Sequence, residues 1–248
     1  MTTEEPTAPK ARRRWLQFSL RTLMVLVVLV SLPQGWFAAR MQRAKRQREA
    51  VEAIWKLGGS SLYDYQGHWS PVLPQGPQPS RPKWLRKLLG DDFFTNVSSV
   101  GFCDGAVIDD DLGRILEGLT HLRVLSLVQT KVTDAGLTHL RQLPDLRHLE
   151  LRRTDIITDV GPEHLRELTE LRYLWLDGTK ITDAGLEHLQ ELTQLRYLNL
   201  SGTQVTDVGL EHLRGLEQLR WLYLSNTQVT HAGVNELKKA LPNVYVYR

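Results

Sequence analysis

A 24-residue stretch beginning at Leu171, LRYLWLDGTKITDAGLEHLQELTQ, starts again at Leu195 as LRYLNLSGTQVTDVGLEHLRGLEQ. Leu122 and Leu146 open earlier copies, LRVLSLVQTKVTDAGLTHLRQLPD and LRHLELRRTDIITDVGPEHLRELTE, and Leu219 opens a later one, LRWLYLSNTQVTHAGVNELKKALPN. A fixed period in this range marks one supersecondary unit stacked on copies of itself, because a single copy has too little apolar surface to form a core alone.

Within each copy the apolar period changes. Leu174 and Leu176 share one face of a short strand, with Tyr173 and Trp175 on the other. Leu186, Leu189 and Leu192 then recur every third residue, which predicts a short helix. Between them, Thr182 or Asp183 is expected to cap that helix by accepting its free N–H groups. Strand, turn and helix repeated in this way predict a parallel sheet on one side, helices on the other and a leucine core between.

The pattern L-x-x-L-x-L-x-x-T-x-I/V resembles a leucine-rich repeat over about residues 97–248, with Thr130, Thr154, Thr179, Thr203 and Thr227 where many members carry Asn or Cys. Hydroxyls that donate and accept can satisfy turn backbone groups there. The resemblance implies an α/β, right-handed leucine-rich-repeat solenoid, its sheet concave and its helices convex. It implies binding and not catalysis, and names no ligand. Val97, Val100, Phe102 and Val107 form a worn first copy, and Val244-Tyr245-Val246-Tyr247 a closing strand after six repeats. In the copy opened by Leu146, an added residue at Asp155-Ile156-Ile157 and Pro162 in place of a helix leucine predict a bulged turn that leaves the stack intact.

Ahead of the repeats the chain reads differently. Residues 1–56 hold 11 Lys/Arg against 4 Asp/Glu, and the remainder 20 against 24. The basic character thus belongs to the N-terminal arm, which argues against a solenoid that binds nucleic acid. Residues 1–21 read as a disordered basic arm, and 22–39 (TLMVLVVLVSLPQGWFAA) carry no charge. As a helix those residues would span roughly 27 Å, enough for a bilayer's hydrocarbon layer. A buried helix, a cleaved signal peptide and a twin-arginine export signal at Arg12-Arg13-Arg14 are the alternatives to an uncleaved single-pass anchor. The short leader and large trailing domain place the repeats on the non-cytoplasmic side. Residues 40–96 read as a helical neck ended by Gly58-Gly59, a strand at 61–65 able to cover the first edge of the sheet, and a proline-rich connection at 69–82. Anchor, neck, the Asp91-Asp92-Phe93-Phe94 step and the closing Leu-Pro-Asn together are similar to membrane-anchored leucine-rich repeat proteins of planctomycete-type bacteria.

Strand side chains that point away from the core form columns: Val124, His148, Tyr173, Tyr197, Trp221; then Ser126, Glu150, Trp175, Asn199, Tyr223; then Val128, Arg152, Asp177, Ser201, Ser225. Strands about 4.8 Å apart would join Tyr173, Trp175, Tyr197, Trp221 and Tyr223 into an aromatic patch edged by His148, Glu150, Arg152, Asp177 and Asn199. Rigid aromatics with a polar rim have the makeup of a protein interface. Aromatic neighbours that merely stabilise the sheet are the other reading. His139, His164, His188 and His212 recur with the repeat and need no metal, and the Thr-Asp pairs need no calcium. No phosphate loop, dinucleotide fingerprint or nucleophile motif is present, and the lone Cys103 excludes an internal disulfide. The expectation is a membrane-anchored protein-binding module without cofactor, metal or nucleic acid; its alternative is an envelope scaffold that self-associates.

Overall fold

The computed structural model describes residues 20–64, 83–102, 106 and 108–248, apart from the side chains of 20–33, 83, 109 and 110. Residues 1–19 of the arm expected to be disordered, the proline-rich connection, Cys103, Val107 and the side chains of residues 22–33 of the expected membrane span lie outside the described residues, whereas Trp36 and Phe37 of that span are exposed. Among those described, no helix is long and apolar enough to cross a membrane. The chain divides into two units, Met1–Met41 and Gln42–Arg248. Helix α1 (Leu20–Lys56) contributes to both.

In the second unit the strands are β1 (Ser60–Tyr63), β2 (Val97–Phe102), β3 (Val124–Leu127), β4 (His148–Glu150), β5 (Tyr173–Trp175), β6 (Tyr197–Asn199), β7 (Trp221–Tyr223) and β8 (Tyr245–Tyr247), paired in chain order as one sheet. All neighbours from β2 to β8 are parallel, and β1 pairs antiparallel with β2, covering its edge. The helices are α2 (Lys83–Leu89), α3 (Asp109–Leu116), α4 (Asp134–Leu137), α5 (Asp183–Glu187) and α6 (His231–Ala240).

Register carries the core. Val100, Leu125, Leu149, Leu174, Leu198, Leu222 and Val246 are partners in succession, and all but Val246 are fully buried. Each buried leucine contributes roughly 1.5–3 kcal/mol, but only with a neighbour on both sides. At the N-terminal end that neighbour is α1, whose Ala50, Val51 and Ile54 enter the same core. Gln47, 4% exposed, ties the helix down: its Nε2 donates to Thr95 O (3.1 Å) and Asp92 Oδ1 (3.0 Å), and its Oε1 accepts from Val97 N (3.2 Å). Pro162 is buried at the start of its turn, and the added residue is absorbed outward, with Ile156 exposed and Ile157 buried. His148↔Tyr173 pairing is undisturbed across it.

Two details correct the sequence reading. Helices were expected in every repeat, yet Gly161–Leu165 and Gly209–Leu213 are 3-10 turns. Both follow a valine (Val160, Val208) where the α-helical copies have Ala135, Ala184 and Ala232. A β-branched side chain loses rotamer freedom against the preceding helical turn, so the shorter coil wins.

The second correction concerns the Thr-Asp pairs. Thr182 and Thr230 do cap, accepting from Ala184 N (3.3 Å) and Gly233 N (3.2 Å). The aspartates instead cross to the next repeat. Asp159 Oδ1 accepts from Thr182 N (2.7 Å) and Gly185 N (3.0 Å), and its Oδ2 from Thr182 Oγ1 (2.7 Å). Asp134, Asp183 and Asp207 hold Thr158, Thr206 and Thr230 in the same two-point way. The glycine two residues after each aspartate position makes room for this. A Cβ on Gly161, Gly185, Gly209 or Gly233 would lie 2.2–2.7 Å from the Oδ1 of the preceding repeat's aspartate.

The threonine column works within each copy. Thr130, Thr154, Thr179, Thr203 and Thr227 donate to the carbonyl three residues back at 2.5–2.9 Å. The residue just before each of them has positive φ: Gln129, Arg153, Gly178, Gly202 and Asn226. A left-handed residue turns the chain out of the strand, and the hydroxyl satisfies the carbonyl that the turn leaves behind.

Candidate functional site

Opposite the leucine core, the outward strand residues build one continuous ring stack. His148 lies over Trp175 (centroids 4.4 Å), Trp175 against Tyr197 (4.4 Å), Tyr197 against Tyr223 (5.1 Å) and Tyr223 against Tyr247 (4.5 Å). From β4 to β7 the stack runs diagonally, alternating between the first and second columns, and on β8 Tyr247 follows Tyr223 in the second. Tyr173 flanks it, 5.6 Å from His148, 6.1 Å from Trp175 and 6.3 Å from Tyr197. Rings at these separations gain about 0.5–1.5 kcal/mol per pair beyond their burial. Burial pushes the Tyr197 hydroxyl pKa up to about 12, helped by neighbouring Tyr223.

Beneath the stack is a polar base. Glu150 Oε1 meets His148 Nε2 at 3.0 Å, and its Oε2 accepts from Ser126 Oγ at 2.7 Å. An ionised carboxylate only accepts, so Nε2 carries the proton, and Nδ1 is buried with no partner. Burial alone would raise the Glu150 pKa; the His148 and Ser126 hydrogen bonds and the positive charges of His148 and Arg152 outweigh it, leaving the carboxyl below its usual value. Beside it, Arg152 Nε donates to both Asp177 oxygens at 3.2 Å, and Asn199 Nδ2 donates to Asp177 Oδ1 at 3.1 Å.

Of the residues expected to meet a partner, Tyr173, Trp175, Tyr197 and Tyr223 come together as rings, and Glu150, Arg152 and Asp177 as their polar edge. Trp221 stands in register between Tyr197 and Tyr245 and is 39% exposed, outside the ring stack. Two residues are corrected from contact to support. His148 is 3% exposed because Trp175, one strand on, lies over it, and Asn199 is 9% exposed because it spends its amide on Asp177 and Ser201 N. Tyr245 and Tyr247 extend the face and were missed. Their signal was the outward alternation of the closing strand itself.

This arrangement can hold a flat surface of rings at fixed angles; it does not activate a hydroxyl. Glu150 lies between Ser126 and His148, so the imidazole is not bonded to the serine it would have to deprotonate. Among the described residues no three His, Cys, Asp or Glu converge as metal ligands, and His164 Nδ1 meets Arg141 Nη2 at 3.2 Å.

Comparison with known proteins addresses the repeats. Residues 169–229 match one leucine rich repeat family and residues 118–140 another. An internalin C2 from Listeria monocytogenes is similar in structure at 22% identity over 60% of this chain and 80% of that one, with a TM-score of 0.46. No curated protein matches the sequence. The stretches 118–140 and 169–229 of this chain are leucine-rich repeats.

Proposed function

We propose that the chain is a protein-interaction module whose partner meets the open face of the sheet, around Trp175, Tyr197, Trp221 and Tyr223, without catalysis. One observation carries this reading. Core and turn positions repeat nearly unchanged, whereas the outward columns hold no residue type in more than two copies and still assemble into one ordered surface. Stacking of repeats requires no such surface. Rigid aromatics edged by Arg152 and Asp177 supply contact area at low entropic cost.

Residues 22–39 tether the module to a membrane, with the repeats on the non-cytoplasmic side. The support is the uncharged apolar run, its cationic flanks and the similarity to anchored leucine-rich repeat proteins. Protection of the repeats from external protease in intact cells would overturn that orientation.

The test of the surface is affinity capture with Trp175→Ala and Trp221→Ala. Loss of the captured protein from both, with the fold retained, is the expected result; undiminished capture by both ends the proposal. A scaffold role through self-association is the second reading, favoured by Tyr245 (65% exposed) and Tyr247 (48%) on β8. Sedimentation showing mass rising with concentration, and not in Tyr245→Ser/Tyr247→Ser, would favour it.

A further inference from the structure

Five arginines, Arg123, Arg147, Arg172, Arg196 and Arg220, each stand one residue before an outward column residue: Val124, His148, Tyr173, Tyr197 and Trp221. Their backbones are bonded in series. Arg147 N donates to Arg123 O, Arg172 N to Arg147 O, Arg196 N to Arg172 O and Arg220 N to Arg196 O, at 2.8–2.9 Å. Successive arginines are therefore neighbours at the strand spacing of about 4.8 Å, and five cationic residues line the rim where the strands begin, Arg123 and Arg196 exposed and Arg147, Arg172 and Arg220 half-buried.

Among the described residues, little neutralises them. Glu170 Oε2 reaches Arg172 Nη2 only at 4.0 Å, and Asp145, the other acid before a strand, is engaged by His121 at 3.0 Å. Arg220 Nη1 is turned onto the Glu217 and Leu219 carbonyls. The Nε atoms of Arg147 and Arg172 are buried with no hydrogen-bond partner. The seam aspartates Asp134, Asp159, Asp183 and Asp207 are committed to threonines of the next repeat. Like charges so close repel, so anionic groups from outside stabilise the row, although they do not reach the two buried Nε atoms.

We infer that this rim binds an extended, carboxylate-rich segment of a protein partner, laid across the strands with its acidic side chains on the arginines. The inference rests on the open face being the protein-binding surface and adds the chemistry of what is bound. Guanidinium forks match carboxylates two bonds at a time. Alternate residues of an extended chain are about 6.8 Å apart, a mismatch to the strand spacing that long arginine side chains absorb. Side chains between the carboxylates fall one residue further in, on the aromatic columns. A nucleic acid would meet the same arginines; the reading of the adjoining open face as protein-binding favours a peptide, and the polyphosphate arm of the test separates the two.

The test is fluorescence anisotropy of a labelled oligo-glutamate peptide with the full chain in detergent. Wild type should bind with an affinity that falls steeply as salt rises. Arg147→Gln/Arg172→Gln/Arg196→Gln should weaken binding by about tenfold or more. Should that variant fail to fold, Arg123→Gln/Arg196→Gln, at two exposed positions, should weaken it in the same direction. Equal binding by wild type and a folded variant, or no binding by wild type, overturns the inference. So does arginine-dependent binding of polyphosphate or polygalacturonate where oligo-glutamate fails. Capture of a partner that needs Trp221 but none of the arginines sinks the rim alone and leaves the open face standing.

Discussion

The two sides of each coil obey different rules. On the turn side, Asp134, Asp159, Asp183 and Asp207 repeat the same two-point grip on the next copy's threonine, and a glycine clears the space each time. On the open face, one column reads Val124, His148, Tyr173, Tyr197, Trp221, with no residue type held beyond two copies. Positions that serve stacking face the same neighbour in every repeat and so converge on one solution. Positions free of that neighbour are chosen by something else. Sameness at buried positions marks the scaffold, and orderly difference marks the open face.

The strongest way to break this contrast is at the seam. Asp159→Ala removes three acceptor contacts, to Thr182 N, Thr182 Oγ1 and Gly185 N. Hydrogen bonds to a charged group are worth about 1.5–3 kcal/mol, so thermal or urea unfolding should show a loss of about 3 kcal/mol. Gly185→Ala should lose about 1–3 kcal/mol, because its Cβ would lie 2.6 Å from Asp159 Oδ1. Binding to any partner of the open face should persist in both at temperatures where they remain folded. A stability change under about 0.5 kcal/mol in Asp159→Ala, the size of an ordinary surface substitution, would show that the seam is ornamental.

On the open face the two tryptophans should separate. Trp175 is stacked between His148 and Tyr197, so Trp175→Ala should lower stability by about 2 kcal/mol as well as binding. Trp221 is outside the ring stack, so Trp221→Ala should leave the unfolding midpoint nearly unchanged and reduce binding alone. Equal destabilisation by both would mean the exposed ring is also structural.

How far the sequence revealed this division depends on which contacts are local. The leucine register was legible because Leu125, Leu149, Leu174, Leu198 and Leu222 recur with the strand, and only stacking buries them all. The seam was not legible. Thr182 is one residue from Asp183 and 23 from Asp159, and in a strict repeat a contact within a copy and one between copies leave the same string. The open face was legible in parity but not in depth. Alternation placed His148 outward, yet nothing in it foretold that the wider Trp175 on the next strand would cover the smaller ring.

Acid titration probes the base beneath that ring and should give a smaller effect. The folded-state pKa of Glu150 lies below its ordinary value of 4.5. The folded protein therefore binds fewer protons there than the unfolded chain. The stabilisation is fully present above the unfolded pKa and is lost as pH falls through the folded one. Wild type should thus lose stability relative to Glu150→Gln below about pH 4.5 and hold a constant difference above it. A difference that stays flat down to pH 3 would mean that His148 and Ser126 do not hold the ionised form.

The smallest expected change is the most diagnostic of direction along the stack. The last copy has Thr230-His231 where the others have Thr-Asp, and α6 begins at His231. If the aspartates served their own helices, His231→Asp would restore a missing cap and add about 1 kcal/mol. Since they serve the following copy's threonine, and none of the described residues stands where His231→Asp would need one, the substitution should add only the helix-dipole contribution of a first-turn carboxylate, about 0.3–0.5 kcal/mol. Asp207 already grips Thr230 from the preceding side, so the terminal helix is fastened without it. A gain of a full kilocalorie in urea unfolding would return the aspartates to a local role and dissolve the distinction between seam and surface.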